Sequence, residues 1–160
     1  MSTSGERVIF EERAYDDAVV QGLVAEVQAE YVRRYGSPDD APIDVEQFVP
    51  PPGVLLVGLV DGVAVAMGGW RAIDFGDGVA TVEIKRMYVP EVGRRRGFAR
   101  RILAELEARA VAAGAKRAVL ETGDQQPEAI ALYEVCGYVR REPFGYYADS
   151  DGSVHFTKEL

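Results

Sequence analysis

The sequence predicts a mixed α/β (α+β) fold: a single, mostly antiparallel sheet of about seven strands with helices on both faces. Strand-like apolar runs alternate along the chain with segments of helical periodicity, in the order β-α-loop-β-β-β-α-β-α-β-β. The chain has 160 residues, enough to bury a core without disulfides or metals. We therefore expect one domain over residues 1–160.

The N-terminal part supplies a strand, a long helix and a loop. Residues 7–13 predict the first strand, and residues 16–35 predict a helix because their apolar side chains recur on one face. Gly36 ends that helix. Residues 37–53 are rich in Pro and Asp and predict a long loop with one helical turn at 44–48.

The rest of the chain alternates short strands with two helices. The remaining strands are predicted at residues 54–60, 63–71, 79–89, 117–121, 138–141 and 154–158, and the helices at 98–113 and 127–136. Asp61-Gly62 between the first two of these strands is a type I′ hairpin signal. Pro127 suits the first turn of the last helix, and Gly137 ends it.

Composition and charge exclude several functional classes. The net charge of −8 argues against a nucleic-acid binder, which needs a broad basic surface. A single Cys136 and a single His155 exclude an internal disulfide and a Cys/His zinc site, so no metal is expected. No apolar run approaches the roughly 20 residues of a membrane span, and the first ten residues lack a signal-peptide pattern. A cytoplasmic protein without a membrane partner is expected.

A basic segment, residues 85–101, contrasts with the acidic remainder. It holds seven of the 18 Lys and Arg residues and one acid, a net +6 against −14 for the other residues. Its centre, Arg94-Arg95-Arg96-Gly97-Phe98-Ala99, joins a predicted strand to a predicted helix, where first-turn amides, helix dipole and guanidinium groups all favour an anion. A solvated basic helix face is the simpler alternative.

Three phosphate-binding patterns compete for this glycine turn. A P-loop requires Gly-Lys followed by Ser or Thr, which the chain lacks, and a dinucleotide fingerprint requires more glycines than Gly97 alone. The pattern R-x-x-G-x-A is matched by Arg94, Gly97 and Ala99. It resembles the coenzyme A pyrophosphate loop of the GNAT N-acetyltransferase superfamily, Q/R-x-x-G-x-G/A between a central strand and a helix.

Two further segments carry the same resemblance, in the same order and spacing. Residues 126–138, QPEAIALYEVCGY, together with LETG at 120–123, are similar to a helix of bacterial small-molecule members of that superfamily. Residues 82–89, VEIKRMYV, resemble its central strand, E-x-K-R-x-Y-V. The chain is thus identified as a member of the GNAT superfamily. The resemblance implies the GNAT acyl-CoA N-acyltransferase fold, with a splay between the fourth and fifth strands, and acetyl-CoA as co-substrate.

The resemblance implies a donor site at that splay, where the main chain of Met87 and Val89 would pair with the pantetheine amides. The implied coenzyme-binding residues are Met87, Tyr88, Val89, Arg94, Arg95, Arg96, Gly97, Phe98, Ala99, Arg100 and Tyr133. Strand alternation predicts one side of the sheet for Glu83, Lys85, Met87 and Val89, and the other for Ile84, Arg86 and Tyr88.

Two residues are the candidates for proton transfer. Tyr133 matches the family tyrosine that can protonate the departing thiolate, although it would also fit as a core aromatic or as a residue that only positions the coenzyme. Glu83, four residues before Met87, is the candidate base, directly or through one water; a salt-bridged strand acid is the alternative. Glu121 is the second candidate carboxylate. Cys136 is predicted to be packed rather than nucleophilic.

The acceptor side is weakly specified by the sequence. The resemblance implies that residues 31–48 cover it, and Arg34 would suit an acidic acceptor such as an amino-acid carboxylate. The candidate acceptor-site residues are Tyr31, Arg34, Trp70, Arg86, Glu121 and Tyr146, each of which equally fits a structural role. The predicted acceptor is a small primary amine, an amino acid or another. The alternatives are a protein or peptide acetyltransferase, a non-catalytic acyl-CoA sensor and, last, a nucleotide-binding module. A homodimer is expected from the superfamily.

Overall fold

A seven-stranded sheet organises residues 6–160, the part of the chain that the computed structural model describes. Residues 1–5 lie outside the described residues. They belong to the predicted domain of residues 1–160 and to the first ten residues, which lack a signal-peptide pattern. The strands follow the spatial order β1-β2-β3-β4-β5-β7-β6. They are β1 (Ile9–Glu12), β2 (Gly53–Val60), β3 (Val63–Ile73), β4 (Thr81–Tyr88), β5 (Arg117–Gly123), β6 (Val139–Arg140) and β7 (Ser153–Glu159).

The helices are α1 (Ala18–Tyr35), α2 (Phe98–Ala112) and α3 (Pro127–Val135), with 3₁₀ turns at Val45–Phe48 and Glu91–Gly93. Every predicted strand and helix is present, and most boundaries shift by one or two residues. None of the helices in residues 6–160 is long and apolar enough to cross a bilayer.

Local chemistry accounts for the bounds of α1. The Asp17 side chain accepts hydrogen bonds from the amides of Val19 and Val20, at 3.0 and 3.3 Å, and so caps the first turn. Gly36, at φ +80°, ends the helix by donating its N–H to the carbonyl of Val32. The direction of α1 fixes where its last turn, and the loop that follows, meet the sheet.

Each face of the sheet carries its own apolar cluster. On one face, Val20 and Leu23 of α1 pack with Phe48 against β2 and β3. On the other, side chains of α2 and α3, among them Leu106 and Tyr133, pack against the central strands. The predicted arrangement of helices on both faces is therefore confirmed.

The sheet opens between β4 and β5. These two strands are parallel, whereas the other neighbouring strands of the described sheet are antiparallel. Their pairing covers Thr81–Arg117, Val82–Ala118 and Glu83–Val119, and the last of these pairs marks where the strands separate. The predicted splay is confirmed, and we call the opening beyond Glu83 and Val119 the fork.

A β-bulge in β4 overturns the predicted side-chain alternation. Lys85 pairs with Gly69 and Tyr88 with Met67, so Arg86 and Met87 together oppose the single residue between them on β3. Arg86 adopts φ +58° at this point. The extra residue reverses the order of faces along the rest of the strand.

Because of the bulge, Met87 and Arg86 have each changed faces relative to the prediction: Met87 lies on the side of Ile84, and Arg86 on the side of Glu83. Met87 packs in the cluster under α2, and a Cβ at Gly68 would lie 2.8 Å from its sulfur. Arg86 instead lies on the α1 face, where its Nε donates to the hydroxyl of Tyr15 at 3.1 Å. Tyr88 also packs on the α1 face.

Candidate active site

The fork leads on one side into a groove of about 570 Å³, which we call the donor groove. It lies between the end of β4, the start of α2 and one face of α3. Its lining includes most of the predicted coenzyme-binding residues, namely Met87, Tyr88, Val89, Arg94, Arg95, Gly97, Phe98, Ala99 and Tyr133. The glycine turn and the family tyrosine therefore share one cavity.

The start of α2 has the features of a phosphate cradle. Gly97 is the N-cap at φ +78° and supplies no side-chain cap, so the first-turn amides keep their hydrogen-bonding capacity. Open space surrounds the position that a Cβ of Gly97 would take. Arg95, at φ +62°, adds a second left-handed residue to the turn. Amide donors and guanidinium groups together fit a pyrophosphate.

The arginines of the turn have different surroundings. Arg94 is 41% exposed, lies 3.6 Å from Glu30, and donates to the carbonyl of Val89 at the groove. Arg96 turns away, forms two hydrogen bonds of 2.6 and 3.0 Å with Glu6, and lies outside the groove lining. Arg100 is exposed and likewise lies outside it. Two predicted coenzyme residues, Arg96 and Arg100, therefore do not line the donor groove.

The other side of the fork holds a smaller cavity of about 270 Å³, which we call the acceptor cavity. It is lined by the end of α1, the loop after it, the end of β5 and the turn before β7. The lining residues are Tyr31, Tyr35, Ser37, Pro38, Asp39, Glu121, Thr122, Gly123, Asp124, Gln126, Tyr147, Ser150, Asp151, Gly152 and Ser153. Gln126 also lines the donor groove, so the two cavities adjoin.

Three predicted acceptor residues lie elsewhere. Trp70 alternates onto the α2 face of β3, where it is buried and its Nε1–H donates to the carbonyl of Leu106 at 3.0 Å. Tyr146 is 60% exposed and packs on Tyr147 instead of lining the cavity. Arg34 lines the donor groove, because the last turn of α1 brings it against the start of α3.

Arg86 does not line the acceptor cavity but binds Asp39, which does. Its guanidinium is 3.2 Å from Asp39, and the hydroxyl of Tyr147 donates to the other oxygen of the same carboxylate. Asp39 and Tyr147 both line the cavity. The sequence did not single out Asp39, since its loop also contains Asp40 and Asp44 at equally plausible positions.

Glu121 is a carboxylic acid of the acceptor cavity whose proton affinity is raised. Burial raises the pKa of its carboxyl to about 7, while a hydrogen bond from Ser153 opposes that rise. The Ser153 hydroxyl lies 3.2 Å from Oε1 across the β5–β7 pair. At neutral pH this carboxylate can therefore both accept and release a proton.

Glu83 stands at the last paired position of β4 and is already engaged. Its Oε1 accepts a hydrogen bond from Nε of Arg71 at 3.1 Å, and Lys85 lies 3.9 Å from its other oxygen. Glu83 is absent from the linings of both cavities. The ion-paired alternative for Glu83 fits this arrangement.

Tyr133 faces the donor groove from α3 and is buried. Burial raises the pKa of its hydroxyl well above the usual value, and the charges of Tyr31 and Glu121 add to that shift. The phenol therefore stays protonated near neutral pH. Its ring packs edge-on against Tyr138, which fixes its direction.

The remaining Cys and His have structural surroundings. Cys136 follows the last turn of α3 and packs partly against the core. His155 is buried, and its Nδ1 lies 3.4 Å from the amide of Phe144, which donates to it. Within residues 6–160, no three His, Cys, Asp or Glu side chains are grouped to hold a metal ion.

Comparisons with known proteins agree with this geometry. Residues 20–138 match the model of the acetyltransferase (GNAT) family. An IAA acetyltransferase of Azospirillum brasilense is 35% identical over 152 residues, which cover 95% of this chain and 97% of that protein.

Two solved structures show the same fold. One is a Klebsiella pneumoniae protein assigned, without an established activity, to the acyl-CoA N-acyltransferases. It superposes with a TM-score of 0.82 and is 29% identical in sequence, and the match covers 98% of this chain and 99% of that chain. The other is an Elizabethkingia anophelis GNAT acetyltransferase with acetyl-CoA bound. Its TM-score is 0.68 and its identity 17%, and the match covers 96% of this chain and 98% of that chain. The family match and the Azospirillum relative establish that this chain belongs to the GNAT acetyltransferase family.

Proposed function

We propose that the protein transfers the acetyl group of acetyl-CoA to a primary amine of a small molecule, by direct attack in a ternary complex. The observation that carries this is the fork, which opens into the donor groove on one side and into a small, separate cavity on the other. The Azospirillum relative, an IAA acetyltransferase, supports a small acceptor.

Acetyl-CoA fits the donor groove, since the start of α2 supplies amides and guanidinium groups for its phosphates. The bulge leaves Arg86 and Met87 opposite one residue, so one of their main-chain amides lacks a ladder partner. That amide can polarise the thioester carbonyl, as backbone donors do at acyl-transfer sites.

Glu121 accepts a proton from the acceptor ammonium, and the neutral amine then attacks the thioester carbonyl. A C–N bond forms, the C–S bond breaks, and Tyr133 gives its proton to the departing thiolate. The second proton lost by the amine restores the Tyr133 phenol, so one proton is released per turnover. Glu121 fits the base role better than Glu83, because it lines the acceptor cavity and its pKa is about 7.

A panel of amines and amino acids, assayed with acetyl-CoA by release of the CoA thiol, tests the proposal. We expect turnover with at least one small amine. Tight acetyl-CoA binding without turnover of any small amine or lysine peptide would contradict the enzyme proposal and favour an acyl-CoA sensor.

A further inference from the structure

We propose that the acceptor is a small amine carrying a second positive charge, such as a short diamine, and not an amino acid. This inference rests on the proposed function and concerns the chemistry of the acceptor cavity. Two properties of that cavity carry it: the sign of its charges and the aromatic rings among them.

The described lining of the acceptor cavity contains four carboxylic acids and no Lys, Arg or His. The acids are Asp39, Glu121, Asp124 and Asp151. A carboxylate on the acceptor would enter this lining without a cationic partner, whereas an ammonium group would meet carboxylates, of which Asp39 is already paired with Arg86.

The cations near the cavity lie beside acids, although Arg71 and Lys85 share Glu83 and the charge of Lys85 also lowers the pKa of Glu121. Arg86 is paired with Asp39, and Lys85 lies 3.9 Å from Glu83. Arg34, which the sequence suggested as a carboxylate ligand, lies 3.0 Å from Glu30 and 2.6 Å from Glu128 in the donor groove. The anchor expected for an amino-acid carboxylate is therefore engaged elsewhere.

The acids of the cavity lie at two depths. Glu121 is half-buried beside the fork, where the reacting amine must lie. Asp124 and Asp151 are exposed, on the turn after β5 and the turn before β7. A second ammonium on the same acceptor would lie between these outer carboxylates while the first faces Glu121.

Tyrosine rings add to the attraction of these walls for a cation. Tyr31 and Tyr35 lie 6.2 Å apart between ring centroids, and both line the cavity. Tyr147 contributes a third ring from the turn before β7. Aromatic faces attract ammonium groups, most strongly where water is excluded. The volume of about 270 Å³ lies near the lower end of small-ligand cavities, about 300 Å³, and so favours a short molecule over a peptide segment.

The test compares kcat/KM for three four-carbon probes at fixed pH and ionic strength: 1,4-diaminobutane, butylamine and 4-aminobutanoate. We expect the diamine to exceed butylamine about tenfold, since each exposed ion pair contributes up to about fivefold. The aminobutanoate should be the poorest of the three. The diamine advantage should shrink as salt rises.

Variants locate the effect within the cavity. The double variant Asp124→Asn/Asp151→Asn should bring the ratio of diamine to butylamine close to one. Asp149→Asn is the matched control, because Asp149 is an exposed acid in the same turn but lies outside the cavity lining, and the ratio should persist. Persistence of the ratio in the double variant would overturn the assignment of the outer carboxylates.

Other outcomes separate this inference from the proposed function. Equal rates for diamine and butylamine, a preference for 4-aminobutanoate, or a lysine peptide exceeding the diamine would each overturn the inference while the enzyme stands. If no amine is turned over, the enzyme proposal fails, and melting of the protein with each probe still decides the cavity chemistry. A larger increase in Tm with 1,4-diaminobutane than with butylamine would support a cavity for a doubly charged amine, and equal increases would overturn it.

Discussion

Ser153 and Glu121 lie on neighbouring antiparallel strands, and the hydroxyl of Ser153 donates a hydrogen bond to Oε1 of Glu121 at 3.2 Å. Burial of the carboxyl favours its neutral form, whereas this bond favours the charged form. The balance leaves the pKa of Glu121 at about 7, so the site should change its proton-accepting capacity within the physiological range.

The first prediction concerns the pH dependence of turnover. The base must be unprotonated, so kcat/KM should rise as pH passes upward through about 7, the pKa of Glu121. Glu121→Gln should lower kcat/KM about 100-fold and remove this rise. In that variant only the neutral amine can react, so kcat/KM should instead rise toward pH ~10, the pKa of the acceptor ammonium. Glu83→Gln is the comparison: loss of the rise in that variant, with its retention in Glu121→Gln, would make Glu83 the base.

The second prediction concerns Ser153. Removing its hydroxyl by Ser153→Ala deletes a bond that favours the charged carboxylate, so the pKa of Glu121 should increase. One hydrogen bond to a carboxylate corresponds to roughly one pKa unit. The midpoint of the pH profile of kcat/KM should therefore move upward by about that amount. An unchanged or lower midpoint would show that the bond does not tune the base.

The third prediction separates catalysis from coenzyme binding at Tyr133. Tyr133→Phe keeps the ring in the core but removes the proton that the thiolate needs, so kcat should fall about 100-fold. Titration calorimetry should show little change in the Kd of acetyl-CoA. Equal losses in kcat and affinity would reduce Tyr133 to a residue that positions the coenzyme.

The fourth prediction uses two glycines of the same conformation. Gly97→Ala places a methyl group in open space of the donor groove and strains a residue at φ +78°. We expect weaker acetyl-CoA binding together with a stability loss of about 1 kcal/mol.

Gly76→Ala is the matched control, with φ +76°, equally open space and a position outside the groove. It should show a similar stability loss with normal acetyl-CoA affinity. Similar weakening in both variants would mean that the Gly97 effect is general destabilisation.

The fifth prediction tests the placement of Trp70 in the core. Trp70→Phe removes the donor to the Leu106 carbonyl and leaves a small void, so stability should fall by about 2 kcal/mol. Urea denaturation measures this loss. The KM for the amine should stay within about twofold of the original value. A large KM increase at normal stability would return Trp70 to the acceptor site.

The sequence predicted those features that depend on short stretches of chain. The helix α1 has a local cap at Asp17 and a local stop at Gly36, and the turn around Gly97 combines its own amides and arginines. Such features need no knowledge of distant residues, and the order of elements followed from them. Apolar helix faces likewise indicated that both sides of the sheet are covered.

The unpredicted features depend on contacts between distant parts of the chain. Arg86 meets Asp39 across 47 residues, and Ser153 meets Glu121 across 32. The side chain of Trp70 could be assigned to a face only once the register of β3 was known. Residues 82–88 have the pattern of an uninterrupted strand, so nothing local marks the bulge.

The bulge divides β4 into two parts, in which odd-numbered side chains lie on opposite faces of the sheet. Up to Lys85 its odd-numbered side chains lie toward the α1 layer; after it, Arg86 and Tyr88 do, and odd-numbered Met87 goes to the opposite layer. Because strand side chains have a period of two, one surplus residue is the smallest change with this effect. A strand that kept regular alternation through residues 86–88 would place Met87 on the α1 face and Arg86 and Tyr88 on the α2 face. The face that each of these side chains occupies thus depends on the number of residues in the strand as well as on their identity.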